Sequence, residues 1–463
     1  ITNNADFRFL NNTSNAATIQ GASQLYPAAI GGTDFHWDNE PTGLINLKWI
    51  DYDPDITTGG ADGITITLTG DCEFDAVTVS SGDTLDLNSK RAEFGNFSLT
   101  GTLSDTGNAG IAIFKGTYTR SGTKADLNTG TVFMIEGAGS SDYYDPVPDK
   151  FFVNAGSGTV TLGNPLKAAG SGTADFILGS GTLNANNQNL SGKDDITIAT
   201  GGIHTAGSST VTCAGDFTTS GGLIGKSCFD FSGATSSGGY INGGSDSSID
   251  DIFDSGGSIE VWINADSDGG NSAGRIIQKD DWSLYTSNET GGASKLTFYH
   301  DFSGTIGTWR TDNTVITNSK WHHVALTYNN AAVGNDPIIY IDGKQVAITE
   351  TSTPVGTRIS EAADSLYIGN NPAASHTFEG RIAMVRIFSD IRTEAELRAD
   401  MFNAHADMSS THLLELMYQF DEGTGTTIDN KEGTAGADGT ITVGSSAWAG
   451  AGTFTYGTST LVM

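Results

Sequence analysis

The sequence predicts an all-β protein in which a repetitive, glycine-rich β region precedes a β domain of different texture. Three observations carry this expectation. Of 463 residues, 61 are Gly and only 17% are charged, which excludes coiled coils and helical bundles built on Glu, Lys, Leu and Ala at heptad spacing. Short segments with an apolar residue at every second position recur along the chain, the period of a strand with one buried face. A single segment carries helix start signals. The length allows two or three domains of about 100–200 residues, and the recurring apolar runs argue against wholesale disorder.

Residues 1–70 read as an N-terminal β-rich anchoring segment, with strands expected at Phe7-Arg8-Phe9-Leu10 and Leu47-Lys48-Trp49-Ile50. Residues 71–225 form the repetitive region. There the strands are four to six residues long and end in Gly, Ser, Asn or Asp, as in Ala76-Val77-Thr78-Val79, Thr84-Leu85-Asp86-Leu87, Gly158-Thr159-Val160-Thr161-Leu162, Ala174-Asp175-Phe176-Ile177-Leu178 and Ser209-Thr210-Val211-Thr212-Cys213. Gly-Thr-Leu occurs at Gly101 and again at Gly181. Short strands at near-regular spacing with small turn residues suit a β-solenoid, whose rungs bury their inward side chains only against neighbouring rungs. A β-sandwich uses the same alternation and stays open as the alternative.

Near residue 225 the aromatics become denser and the strands longer. Ser258-Ile259-Glu260-Val261-Trp262-Ile263, Lys295 to Tyr299, Trp321 to Tyr328 and Ile338 to Lys344 are expected strands, the last turning at Asp342-Gly343, a hairpin signal. Gly380 to Phe388 alternates over its whole length. Thr393 with Glu396 three residues on is a capping box, and Leu397 and Met401 lie one turn apart, so a helix is expected from Thr393. Residues 406–463 are a C-terminal β extension.

The ordered run GSIEVWINAD, KWHHVALTYNN, IYIDGKQV, SLYIGNN and FEGRIAMVRIFSDIRTEAEL resembles the laminin-G-like, concanavalin-A-like jelly-roll family over residues 226–405, with CFDFSGATSSGGYINGG as its entry strand. The resemblance implies a jelly-roll sandwich in which Trp262 and Trp321 pack in the core and a short helix follows the strand at Gly380. One segment departs from the pattern. MYQFDEGTGTTIDNKEGTAGADGTI, residues 417–441, is similar to a stretch that precedes the jelly roll in many relatives, yet here it follows. It either completes the sandwich from the other end, begins a further module, or forms a docking strand of its own. The texture of the N-terminal half resembles repetitive β-solenoid segments of bacterial surface proteins and phage virion appendages.

Lys plus Arg number 23 and Asp plus Glu 54, a formal charge of −31. Such a surface repels phosphate backbones, so nucleic acid is not an expected partner. No run of about 18 apolar residues is present, so membrane insertion is not expected. The chain begins at Ile1 without Met, and a removed leader or a longer parent product is expected behind it. Cys72, Cys213 and Cys228 fit no metal or disulfide framework. They are expected as three buried thiols, with a Cys213–Cys228 bridge as the alternative.

Glycoside hydrolysis needs two carboxylates about 5–9.5 Å apart. The enzymatic members of the jelly-roll family carry them on a Glu-x-Asp-x-x-Glu strand, and no such run exists here. His322 and His323 alternate across a strand, so they cannot ligate one ion together, and one is expected to pack while the other is solvated. No nucleophile elbow, phosphate loop or zinc spacing occurs. Calcium is the expected cofactor, since relatives often hold it with loop oxygens. Asp266, Asp268 and Asn271 form the densest such loop, with a solvated turn as the competing reading, and Asp429 and Asp438 are lesser candidates. Trp282, Tyr285 and Trp309 are the candidate glycan platforms, with core packing the bland alternative for each.

The expected function is that of a non-enzymatic virion structural protein, a phage fibre or capsid decoration, whose jelly roll touches host surface glycans. Its partners would be other virion proteins or copies of itself, trimers included, and its place the virion surface. A secreted bacterial surface adhesin or glycan-binding protein at the cell surface is the second reading, and a polysaccharide depolymerase the third.

Overall fold

The structure, a computed structural model, describes residues 7–8, 34–37, 44–47, 55–58, 65–68 and, from residue 70, all but 121–130, 138, 142–149, 169–174, 193, 232–237, 410–411, 434–436 and 445. Phe9, Leu10, Lys48, Trp49, Ile50 and Ala174 of the expected strands lie outside the described residues. The chain forms two compact units. One holds residues 1–197, 202–218 and 453–463, the other 198–201 and 219–452.

The first unit is a β-solenoid of about 6 turns. Cys72–Val79, Arg91–Leu99, Ile111–Phe114, Val132–Ile135, Lys150–Leu162 and Asp175–Asn184 pair in that order, every pair parallel. Thr65–Leu68, Thr84–Asp86 and Thr102–Ser104 form a second parallel ladder, and Leu166–Ala168, Leu190–Gly192 and Thr210–Cys213 a third. In-register parallel pairing decides between the two sequence readings, because a sandwich of this kind is built from antiparallel sheets. Inward positions repeat the same chemistry from coil to coil. Phe94 stacks between Phe74 at 5.6 Å and Phe114 at 5.4 Å, and each such buried ring contributes about 1.5–3 kcal/mol.

The corners explain part of the acidic composition. Asp86 accepts from Asn88 N, Thr106 N and Thr106 Oγ1. Asp105, fully buried, accepts from Ser89 N, Gly110 N and Thr131 Oγ1. Asn187 takes Ser208 N and Oγ. Each of these side chains reaches into the next coil, 20 to 26 residues on for Asp86, Asn187 and Asp105, so the carboxylates and amides satisfy backbone donors that no strand ladder serves. Asn88, Asn108, Asn186 and Asn187 turn these corners at positive φ, a region Asn tolerates.

The solenoid does not end where the chain first leaves it. Thr453–Thr455 pairs in parallel with Gly202–Thr205, and Thr460–Val462 with Thr210–Cys213. The C-terminal residues therefore supply a further rung, and most of the second unit's residues fall, in sequence, before that rung and after Thr218.

The second unit is a two-sheet antiparallel sandwich. One sheet runs Lys344–Val346, Ile338–Ile341, Trp321–Tyr328, Gly257–Ala265, Gly380–Phe388, Phe229–Asp230 and Ala447–Trp448, with Leu414–Tyr418 also on Gly380–Phe388. The other runs Ile348–Ser352, Gly307–Thr311, Ala293–His300, Trp282–Thr290, Ala273–Lys279, Leu366–Ile368, Gly238–Gly244, Gly439–Gly444 and Thr427–Ile428, with Ile316–Thr317 beside Ala293–His300. Residues 417–441 thus complete the sandwich, contributing to one strand of the first sheet and two of the second, and Tyr418, Phe420, Ile428 and Ile441 join its core.

Every residue of Gly257–Ala265 is buried, because the outer side of its sheet is covered in turn. The helix Glu394–Asp400 starts at the capping box of Thr393 and Glu396 and buries Leu397 against Ala325 and Tyr340. Trp262 Nε1 donates to Met401 O at 2.6 Å. Beneath this cover Arg386 Nη1 donates to Glu260 Oε2 at 2.9 Å and to Asp400 O at 2.8 Å. Burial alone would raise Glu260, but the His323 bond and the Arg386 charge hold it below the usual carboxylate range.

His322 and His323 do lie on opposite faces, yet both are buried, contrary to the expectation that one is solvated. His322 Nδ1 meets Asp342 Oδ2 at 2.8 Å while its Nε2 accepts from Thr317 N at 3.0 Å, so the ring is the Nδ1–H tautomer. His323 Nε2 lies 3.3 Å from Glu260 Oε2. The three cysteines are free and buried, so Cys213 and Cys228 are not bridged.

Candidate functional site

The ten-stranded sheet of the sandwich turns one face to the core through Ile241, Ile277, Leu284, Phe298, Trp309 and Ile368. Alternation sends their neighbours to the other face. Strand register arranges those neighbours in rows. One row reads Asn242, Tyr367, Gln278, Ser283, Tyr299 and Thr308, each the direct cross-strand partner of the next. The adjacent row reads Arg275, Tyr285, Thr297, Arg310 and Thr349.

The large members of both rows are partly exposed, while Ser283, Thr297 and Gln278 are buried between them. The face is therefore a corrugated surface of aromatic edges with hydroxyl and amide groups in its furrows. Tyr240 meets Tyr367 edge-on at 5.5 Å, and Tyr285 meets Tyr299 at 6.3 Å. The Arg275 guanidinium lies 4.2 Å from the Tyr285 ring centre and 5.6 Å from that of Tyr299. Burial among these rings pulls Arg275 below the usual guanidinium range. Arg310 Nε donates to Thr297 Oγ1 at 3.1 Å, which in turn bonds Ser287 Oγ at 2.8 Å.

At one end of the strands the face meets a rim of carboxylates. Asp280 and Asp281 form the turn between Ala273–Lys279 and Trp282–Thr290, and Tyr299 Oη donates to Asp280 O at 3.3 Å. Burial, with the charges of Asp364, Asp301 and Asp280, pushes Asp281 up to about 6. Behind the rim, Glu361 is fully buried and burial pushes it up to about 7. Its Oε1 accepts from Trp282 Nε1 at 3.3 Å, and the buried Lys279 ammonium donates to Glu361 O, Ile249 O and Asp250 Oδ1.

Of the three expected glycan platforms, only Tyr285 stands on this face. Trp282 and Trp309 are 0% exposed and belong to the core. Their indole N–H groups end on Glu361 and Asp336, so neither ring needs solvent or ligand to satisfy its polar tip. The sequence signal that places Tyr299 and Arg310 is the same alternation, since once Phe298 and Trp309 point inward these two point outward; Arg275 owes its side to the register shift between it and the inward Ile277.

The side chains of the expected cation loop each have a partner within the protein. The Asp266 carboxylate faces Arg381 Nη1 at 3.6 Å, Asp268 Oδ2 accepts from Glu289 N at 3.1 Å, and Asn271 Nδ2 donates to Ser375 O at 2.8 Å. Asp438 accepts from Asn430 N, and Asp429 N donates to Glu422. Among the described residues no three His, Cys, Asp or Glu side chains converge so as to hold a metal ion. Among the described residues, no helix is long and apolar enough to cross a membrane.

Residues 235–398 match the family model described as the concanavalin A-like lectin/glucanases superfamily, of the laminin G type. Solved structures with similarity include a candidate carbohydrate-binding protein from Bacteroides ovatus, 21% identical over 49% of this chain and 61% of that one, with a TM-score of 0.34. The chain thus spans about three fifths of that protein. The carbohydrate-binding module CBM40 of Ruminococcus gnavus IT-sialidase, bound to α2,3-sialyllactose, is 14% identical over 39% of this chain and 98% of the module, with a TM-score of 0.27. Tailspike protein 2 of the Escherichia coli O157:H7 bacteriophage CAB120 is 11% identical over 84% of this chain and 64% of its own, with a TM-score of 0.28. No curated protein sequence matches the chain.

Proposed function

We propose that the chain is a non-enzymatic structural protein of a virion appendage, a β-solenoid carrying a jelly roll that binds surface glycans on the outward face of its ten-stranded sheet. The observation that carries the binding half is the paired rows of that face. Tyrosines present a flat apolar side to the C–H face of a sugar, and their own hydroxyls with the partly exposed Asn242 and Thr308 of the same row offer donors and acceptors to its hydroxyls. The residues stand on strands rather than loops, so the array is held in place before a ligand arrives. The virion half rests on the pairing of a repetitive parallel shaft with a carbohydrate-binding type of domain.

Two measurements test the two halves separately. Binding of the whole chain to immobilised polysaccharides, with Tyr285→Ala and Tyr299→Ala beside it, tests the face. Loss of binding in both variants with unchanged melting supports it, and binding indifferent to both sinks it. Quantitative proteomics of density-purified particles against the cell-envelope fraction tests the location. A fixed copy number per particle supports a virion part, whereas recovery only with the envelope favours a surface adhesin. Release of reducing ends from a bound polysaccharide would overturn the non-enzymatic reading.

A further inference from the structure

The cations of the sandwich are distributed unevenly. Its seven arginines are Arg275, Arg310, Arg358, Arg381, Arg386, Arg392 and Arg398. The last five are ion-paired: Arg358 with Asp251 and Asp254, Arg381 with Asp230, Arg386 with Glu260, Arg392 with Asp400, and Arg398 with Glu394. Arg275 and Arg310 have no carboxylate partner among the described residues; Nε and Nη1 of Arg275 are buried without an acceptor, which leaves Nη2 to face outward. Both stand in one cross-strand row of the tyrosine face, three strand spacings or about 14 Å apart.

Acids avoid the same face. Asp plus Glu outnumber Lys plus Arg 54 to 23, yet the strands of this sheet contain only Glu289 and Glu350. Glu289 lies past a register break and bonds Asp268 N and Asn318 Nδ2 at the rim. Glu350 is opposite Trp309, on the core side of the edge strand. Lys295, one row beyond the arginines, also faces outward, its ammonium on the Asp312 carbonyl. Moving along the strands, the face passes from the Asp280, Asp281, Asp301 and Asp364 rim, through the Tyr367–Tyr299 row, to the Arg275–Arg310 row and Lys295.

Resting on the glycan reading above, we infer that the ligand is an acidic glycan whose sugar carboxylates meet Arg275 and Arg310 while its uncharged portion lies over the tyrosines toward the aspartate rim. Two guanidinium groups without a carboxylate partner, in a chain of net charge −31, are left for an anion that arrives from outside. A guanidinium matches a carboxylate in plane and spacing, and such a bond is about twice as strong as a neutral one. The rest of the protein repels polyanions at long range, so binding of one reports a local complement.

The test uses the whole chain against polygalacturonate, dextran sulfate and uncharged dextran. The expected result is binding to polygalacturonate that weakens as salt rises, with dextran at least about tenfold weaker. Arg310→Gln is expected to weaken polygalacturonate about tenfold, the loss of one charge-assisted bond. Lys226→Gln, an equal charge change elsewhere, leaves it unaltered. Equal affinity for dextran, or equal effects of the two variants, overturns the acidic-glycan inference and leaves glycan binding standing. Dextran sulfate bound in place of polygalacturonate overturns the carboxylate assignment. Failure to bind any of the three, or any neutral polysaccharide tried with them, removes the glycan reading itself. Should Arg310→Gln not fold, the dextran comparison and the salt series on the unaltered chain still decide.

Discussion

The guanidinium carbon of Arg275 lies 4.2 Å from the centre of the Tyr285 ring, its direct partner on the neighbouring strand. The ring shields the cation from water on one side. In the proposed function Tyr285 is therefore both a platform and the support of the charge beside it. A cation–π contact of this partly exposed kind contributes about 0.5–1 kcal/mol.

Tyr285→Ala should accordingly cost little in folding, about 1 kcal/mol, and much more in binding. Tyr285→Phe keeps the ring and should retain both. Thermal melting beside glycan titration separates the two effects. A variant that melts far below the parent, or one that binds as the parent does, contradicts this assignment.

The solenoid predicts a different balance at Asp105. Its carboxylate satisfies two backbone N–H groups and the Thr131 hydroxyl with no solvent access. Asp105→Ala leaves several buried donors unserved, at about 1–3 kcal/mol each, and should destabilise the shaft by about 3 kcal/mol or more. Asp105→Asn keeps one acceptor oxygen and should fall between. Urea unfolding followed by circular dichroism checks the order Asp, Asn, Ala; an Ala variant as stable as the parent would refute the ladder as the source of corner stability.

These cases show which features the sequence displays and which it hides. The sandwich was legible because its motifs are local: the Asp342-Gly343 turn has positive φ at both residues, and Thr393 caps the helix as its spacing predicts. Trp282 and Trp309 were misplaced as platforms because a tryptophan's face is set by the strand's phase, and their phase is read only against Leu284 and Phe298 beside them. The arginine row depends on register across four successive strands, Ala273–Lys279 through Gly307–Thr311, and on the shift between Arg275 and Ile277, which the alternation within any one strand does not encode. His323 was expected to be solvated or packed by alternation alone, whereas its surroundings come from Glu260 and Arg386, 63 and 126 residues apart along the sequence in their pairings.

Two groups give opposite pH dependences in the two units. Glu361 in the sandwich is raised by burial from 4.5 to about 7, so the folded state binds the extra proton between those values. Its stabilising effect is complete below about 4.5 and is lost as pH rises through about 7, at up to about 1.4 kcal/mol per pH unit. Glu361→Gln should abolish that slope, raising stability at pH 8 relative to the parent. Urea melts at pH 5 and 8, read through the adjacent Trp282, test it; identical slopes in both proteins would refute the assignment.

His204 in the solenoid is the mirror case, and it links the C-terminal rung to the shaft. The ring is 1% exposed and stacks on Phe454 at 5.3 Å, its partner in register, while Phe454 meets Phe217 edge-on at 5.2 Å. Burial lowers His204 from 6.5 to about 4. The unfolded chain then binds the extra proton between about 4 and 6.5, so this contribution is fully present above about 6.5 and is lost as pH falls toward 4. Since Thr453–Thr455 provides the cover, removing residues 453–463 should return His204 toward its ordinary value and speed amide exchange in Gly202–Thr205 and Thr210–Cys213, whose outer partners are gone. Phe454→Ala should do the same in part, costing about 1–3 kcal/mol because Phe454 is only partly buried. The histidine's own NMR titration is the decisive readout. A midpoint near 4 that persists after truncation would mean that burial by the preceding coils, and not the returning strand, keeps His204 neutral.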